Sequence, residues 1–140
     1  MDEAEILLIE GDPSHAELTL MALKETNVFA KIYVAKDGEE ALNFLFSRDR
    51  FETGPKFILL ELDLPKKDGL EVLRKIRMDE RSRSIPVIVL TSSQNDRDIM
   101  MSYECGANSY IVKPMESDAF VSTIGELGYY WLRLNQQPTM

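Results

Sequence analysis

The stretch FILLELDLPKKDGLEVL, residues 57–73, holds in order an apolar run, an acidic cluster, a turn and an amphipathic segment. The run Phe57–Leu60 contains no polar residue, which is typical of a strand buried on both faces of a parallel sheet. Glu61 and Asp63 follow directly, and residues 66–69 (KKDG) have turn chemistry. Leucine, valine and charged residues then recur at helical spacing. The stretch therefore predicts a strand, a turn and a helix, with acidic residues at the carboxyl end of the strand.

Three other apolar runs end in polar clusters in the same way. In a parallel sheet the carboxyl ends of the strands share one edge, where open α/β sheets place their ligand sites. We therefore expect two acidic groups, a hydroxyl and a lysine to converge at that edge. The three runs and the clusters that follow them are 6–9 before Glu10-Gly11-Asp12, 87–90 before Thr91-Ser92, and 110–112 before Lys113-Pro114.

The chain alternates five strand-like runs with five helical patterns and shows no internal repeat, which predicts a βα unit repeated five times. Its 140 residues, 44% of them apolar, suffice for one core and leave no room for a second domain. Asn27 is expected to help end the first helix. The helices are predicted at 14–26, 37–46, from residue 70, at 95–105 and at 117–134, and the second strand at 31–35.

Composition limits the partners and the compartment. A formal net charge of -8 argues against a nucleic-acid surface, because phosphate contacts are made mainly by clustered Lys and Arg, and it favours a protein partner. Cys105 is the single cysteine and cannot form an intramolecular disulfide. Neither a leader peptide nor a long apolar span is visible, so we expect a cytoplasmic protein without membrane contact.

Five fragments of the sequence, in this order, resemble the receiver domain of two-component response regulators. The resemblance is greatest to the single-domain regulators paired with cyanobacterial phytochromes. It implies a flavodoxin-like (βα)5 three-layer sandwich with parallel sheet order 2-1-3-4-5, spanning 1–140 without an effector domain. It also implies a sensor histidine kinase, with a phytochrome as one candidate, or a downstream signalling protein as partner. The fragments are IEGDP, AKDGEEAL, LLELDLPKKDGLEVL, IPVIVLTSS and ANSYIVKP.

In ordinary receivers an aspartate at the end of the third strand accepts a phosphoryl group from a kinase phosphohistidine, assisted by a divalent cation. By this resemblance Glu61 occupies the phosphoacceptor position, and Gly11 replaces the second acid after the first strand. Thr91 and Tyr110 would be the switch residues. Lys113 would contact the phosphoryl group, with a cis bond to Pro114.

The metal site implied by the resemblance is weakened by the loss of a carboxylate at position 11. Its candidate ligands are Glu10, Asp12, Glu61 and Asp63. Asp12 is displaced by one position, which re-aims its side chain, and Asp63 would contribute its backbone carbonyl while its side chain faces solvent. We therefore expect magnesium to bind weakly or not at all.

Glu61 is longer than an aspartate by one methylene, which moves its carboxylate by about 1.5 Å. A displacement of this size costs on the order of a hundredfold in rate. One interpretation is that Glu61 imitates phosphorylation within reach of Thr91 and Lys113. Another is that it only occupies the pocket and pairs with Lys113, since buried acids need partners.

These features predict an atypical receiver without enzymatic activity that works by protein–protein interaction. The main alternative is an active receiver that accepts phosphate on Glu61 from a histidine kinase. A flavin or nucleotide binder is a weaker alternative, because the chain lacks a glycine-rich phosphate loop. His15, the single histidine, has no Cys or second His nearby and is interpreted as a surface residue.

The last helix predicts a homodimer. Its apolar stripe would consist of Phe120, Ile124, Leu127, Trp131 and Leu134. Tyr129, Tyr130 and Leu132 would lie off that stripe and leave aromatic surface for a partner. We assign the dimer face to Tyr129, Tyr130 and Trp131, because phytochrome-linked regulators have a similar extended final helix.

Overall fold

A five-stranded parallel sheet forms the centre of the molecule, with strand order β2-β1-β3-β4-β5. The computed structural model describes residues 4–26, 30–47 and 54–137. The strands are β1 Ala4–Ile9, β2 Ala30–Ala35, β3 Phe57–Leu60, β4 Val87–Thr91 and β5 Ser109–Val112. The helices are α1 Pro13–Lys24, α2 Gly38–Phe46, α3 Gly69–Met78, α4 Asp96–Glu104 and α5 Ser117–Tyr129, followed by a π-helix at Tyr130–Leu134. The predicted topology is confirmed.

Residues of β1 alternate between two apolar cores, one on each face of the sheet. Leu7 and Ile9 belong to the core beneath α2 and α3, whereas Ile6 and Leu8 belong to the core beneath α1 and α5. This alternation is the period of two that a strand imposes on its side chains. Because both faces are covered, the central strand β3 is apolar throughout. Burial of each large aliphatic side chain contributes about 1.5–3 kcal/mol. The predicted three-layer sandwich is confirmed.

Short polar side chains begin four of the helices at the carboxyl edge of the sheet. Each accepts a hydrogen bond from backbone N–H groups in the first turn, which are otherwise unpaired. The capping residues are Asp12 for α1, Asp37 for α2, Asp68 for α3 and Asn95 for α4. The expected role of Asn27 at the end of the first helix lies outside the described residues.

The last helix departs from the prediction of one continuous α-helix. From Tyr130 it continues as a π-helix, and Asn135 donates its N–H to the carbonyl of Tyr130 at 2.7 Å. A π turn holds more residues than an α turn, so the side chains beyond it change phase. Leu132 is buried and Leu134 is 54% exposed, the reverse of the predicted stripe.

No helix in the described ranges combines the length and the apolar character needed to cross a membrane.

Candidate functional site

The residues that directly follow β1, β3 and β5 are fixed by the sheet itself. Each donates its backbone N–H to a carbonyl of a neighbouring strand and so extends the ladder by one residue. Their side chains therefore leave the sheet edge from rigid positions. The three pairs are Glu10 with Ala35 at 2.9 Å, Glu61 with Ile9 at 3.0 Å, and Lys113 with Thr91 at 2.8 Å.

The ammonium of Lys113 lies between two buried carboxylates. Its Nζ is 2.6 Å from Oε1 of Glu10 and 2.6 Å from Oε1 of Glu61. A third partner is Nδ1 of His15 at 2.9 Å. An ammonium has three donors and no acceptor, so Nδ1 of His15 must accept, and all three donors are used. With the Lys113 side chain only 2% exposed, the cluster is shielded from water.

The outer oxygens of both carboxylates are also occupied. Oε2 of Glu10 accepts from the N–H of Asp12 at 3.1 Å. Oε2 of Glu61 accepts from the N–H groups of Leu62 at 2.8 Å and Asp63 at 3.3 Å. Each buried charge is therefore paired and hydrogen-bonded, which is the condition under which such burial is tolerated.

Three of the four candidate metal ligands, Glu10, Asp12 and Glu61, are engaged by other groups of the protein. The carboxylate of Asp12 accepts the N–H groups of Ser14 and His15 as the cap of α1. Those hydrogen bonds, led by the one from His15, lower the pKa of the Asp12 carboxyl. Asp63 is exposed, in agreement with the prediction that its side chain faces solvent. Within residues 4–26, 30–47 and 54–137, no three His, Cys, Asp or Glu side chains are grouped to hold an ion. With Lys113 between the two buried acids, the residues do not fit a divalent metal.

The two candidate switch residues lie on neighbouring strands. Thr91 is buried at the end of β4. Tyr110 on β5 is half-buried, and its hydroxyl donates to the carbonyl of Ser93 at 2.9 Å. Burial raises the pKa of the Tyr110 phenol, and the carboxylates of Asp98 and Glu61 act in the same direction. The structure therefore holds the ring of Tyr110 against the loop between β4 and α4.

Two sequence predictions about this region are wrong. The described residues contain no cis peptide bond, so Lys113 and Pro114 are joined in trans, which X–Pro bonds favour by about 0.5–1 kcal/mol. His15 is not a surface residue, because it is half-buried against the Phe120 ring at 5.8 Å and contacts Lys113.

Two glycines shape the rim of the site. A Cβ on Gly69 would lie 2.6 Å from the carbonyl oxygen of Glu61, so only glycine lets α3 begin this close to β3. A Cβ on Gly11 would lie 3.0 Å from the carbonyl oxygen of Lys36 and 3.0 Å from Cδ of Pro65. The position that carries an acid in ordinary receivers is therefore tightly packed here.

The proposed dimer face is partly exposed. Tyr129 and Tyr130 are 49% and 46% exposed. Trp131 is half-buried against the core beneath α1 and α5, and it meets Tyr130 edge-on with ring centroids 5.0 Å apart. The predicted aromatic surface on the last helix is therefore present.

Comparison with known proteins identifies close relatives. Residues 6–125 match the family model of the response regulator receiver domain. The chain is 39% identical over 138 residues to the probable methanogenesis regulatory protein FilR2 of Methanothrix harundinacea, covering 95% of this chain and 86% of the relative. It is 35% identical over 129 residues to response regulator Rcp1 of Synechocystis, covering 91% and 88%.

Solved structures agree with these sequence matches. The phosphorylated cyanobacterial phytochrome response regulator RcpA superposes with a TM-score of 0.92 at 33% identity, covering 99% of this chain and 100% of that chain. The Mn(2+)-bound form of Rcp1 gives a TM-score of 0.88 at 33% identity, covering 97% and 99%.

Proposed function

We propose that this chain, which belongs to the response regulator receiver family, is a receiver that signals by protein–protein contact and accepts little or no phosphate. The observation that supports this is the contact between Lys113 Nζ and Glu61 Oε1 at 2.6 Å. Glu61 is the residue that we assign to the phosphoacceptor position. The lysine that would hold a phosphoryl group is already neutralised by carboxylates. The chain then acts as a signalling domain of a two-component system, not as an enzyme.

The partner we propose is a sensor histidine kinase, of the phytochrome class by analogy with RcpA, or a downstream signalling protein. The compartment we propose is the cytoplasm. The net charge of -8 supports a protein partner over nucleic acid. Magnesium is proposed to bind weakly or not at all, in contrast to the relative Rcp1, for which a Mn(2+)-bound form exists.

Incorporation of phosphate tests the proposal. The protein is incubated with radiolabelled acetyl phosphate or a phosphorylated kinase, with and without magnesium, and base-labile label is counted. The unmodified protein should incorporate little. Gly11→Asp with Glu61→Asp should restore magnesium-dependent labelling, because it rebuilds a metal ligand and shortens the acceptor by about 1.5 Å.

The matched control for this experiment is Glu61→Asp alone, which changes the acceptor without adding a ligand. Crowding at position 11 requires that the double variant be checked for a native circular dichroism spectrum. Robust labelling of the unmodified protein on Glu61 would refute the proposal and establish the alternative, an active phosphotransfer receiver.

A homodimer is the proposed assembly, with Tyr129, Tyr130 and Trp131 at its face. It is supported by the two half-exposed tyrosines on the last helix, since exposed aromatic clusters mark interfaces. Sedimentation should show dimers without a phosphodonor. Tyr130→Ala should weaken them, and Met78→Ala, at an exposed residue on α3, should not. A protein that stays monomeric at high micromolar concentration would remove this part of the proposal.

A further inference from the structure

The Lys113 ammonium sits where the two buried carboxylates of the site converge, and each of its three donors has a partner. We propose that this ammonium is the resident cation of the pocket, that it keeps divalent metals out, and that removing it opens a metal site on Glu10 and Glu61. The inference rests on the proposed function, in which the pocket needs no metal. It supplies a physical cause for the weak metal binding.

The inner oxygens of Glu10 and Glu61 both lie 2.6 Å from one nitrogen. Two buried carboxylates placed so close together need a positive charge between them. Magnesium binds oxygen at about 2.0–2.1 Å, so it would compete with the ammonium for the same oxygens. Both ions are positive and would share the same two carboxylates, so each weakens the binding of the other. A metal that takes both inner oxygens therefore displaces the two hydrogen bonds that Lys113 makes to them.

Among the described residues, the remaining carboxylate oxygens of the candidate ligands Glu10, Glu61 and Asp12 are also engaged. The outer oxygens of Glu10 and Glu61 accept backbone N–H groups, and the Asp12 carboxylate caps α1. Gly11 contributes no side chain. With only two carboxylates as ligands, a divalent ion is bound too weakly to displace the lysine. A third carboxylate would strengthen the binding of the ion.

His15 has a positioning role in this arrangement. Its Nδ1 takes the third donor of Lys113, and its ring is held against Phe120, so α1 anchors the ammonium between the acids. Without that acceptor one donor of a buried ammonium would lack a partner, which favours a different side-chain conformation.

Manganese titration followed by electron paramagnetic resonance tests the inference, because the signal of free Mn²⁺ falls as the ion binds. Lys113→Met removes the ammonium and keeps the side-chain length. Lys75→Met, at an exposed lysine of α3, is the control that makes the same change in net charge. We expect Lys113→Met to bind Mn²⁺ at least about tenfold more tightly than the unmodified protein, and Lys75→Met to bind as the unmodified protein does. Equal affinities in all three proteins would overturn the inference.

A measurement on the unmodified protein decides the question if Lys113→Met fails to fold. Acetic anhydride modifies accessible amines, and mass spectrometry gives the extent at each lysine. We expect Lys113 to be modified much more slowly than Lys75 and Mn²⁺ to leave that difference unchanged. Faster modification of Lys113 on adding Mn²⁺ would mean that the metal displaces it, and would refute the inference. Neither readout involves phosphate on Glu61, so failure here is separate from failure of the labelling experiment.

Discussion

Replacing Glu61 by glutamine should destabilise the fold by about 1.5–3 kcal/mol, the cost of losing one charged hydrogen bond in a buried site. Glutamate offers two oxygens, one to Lys113 and one to the N–H groups of Leu62 and Asp63. Glutamine offers a single oxygen, so its NH₂ must face donors on one of the two sides. The cost stays below the roughly 3–5 kcal/mol of a fully broken buried pair, because Lys113 keeps a second carboxylate.

Urea unfolding followed by circular dichroism measures this cost. With a slope of about 1–3 kcal/mol per molar urea, the midpoint should fall by about 1 M. Asp63→Asn is the matched control, since it makes the same acid-to-amide change at an exposed neighbour and should alter stability by less than about 0.5 kcal/mol. Equal stability of Glu61→Gln and Asp63→Asn would refute the assignment of Glu61 as a paired, buried anion.

Leu132→Ala should cost about 2–4 kcal/mol in urea unfolding and Leu134→Ala less than about 1 kcal/mol, because the π-helix buries Leu132. The opposite order would mean that the last helix remains α-helical. The Tyr110 phenol should ionise above the ordinary pKa of 10.0, and Tyr110→Phe should remove its contribution from the absorbance titration at 295 nm. Because the pKa of the Tyr110 phenol is raised in the folded state, the phenol stabilises the fold fully below pH 10.0 and loses that contribution as pH rises through its folded-state pKa. A difference titration centred below pH 10.0 would contradict the raised pKa. Gly125→Ala should raise stability by about 0.5–1 kcal/mol, since its Cβ would meet nothing within 4 Å inside α5, and a lower melting temperature would show a hidden contact.

The sheet and the convergence of Glu10, Glu61 and Lys113 follow from the sequence because strand periodicity and parallel topology are local and general rules. Apolar runs that end in polar residues are enough to place three side chains at one edge. The partner His15 could not be predicted in the same way. Its contact depends on how α1 crosses the sheet and on how far the Lys113 side chain reaches, and neither is encoded in spacing.

The last helix shows a second limit of sequence reasoning. A stripe of apolar residues at spacings of three and four assumes a constant number of residues per turn. The π turn at Tyr130–Leu134 breaks that assumption, although the turn itself contains neither proline nor glycine. Leu132 and Leu134 are both leucines, so hydrophobicity alone could not decide which of them is buried.

The π turn also changes how insertions and deletions should be understood in this part of the chain. Its hydrogen bond from Asn135 to Tyr130 spans five residues, where an α-helical bond spans four. Removing one residue between them would leave a closed α-helical turn, whereas in a regular α-helix the same deletion rotates everything that follows by about 100°. A related chain that is one residue shorter here can therefore keep the same packed core while presenting a different aromatic side chain to solvent. A sequence alignment without a gap in this segment would then pair residues whose side chains point in different directions.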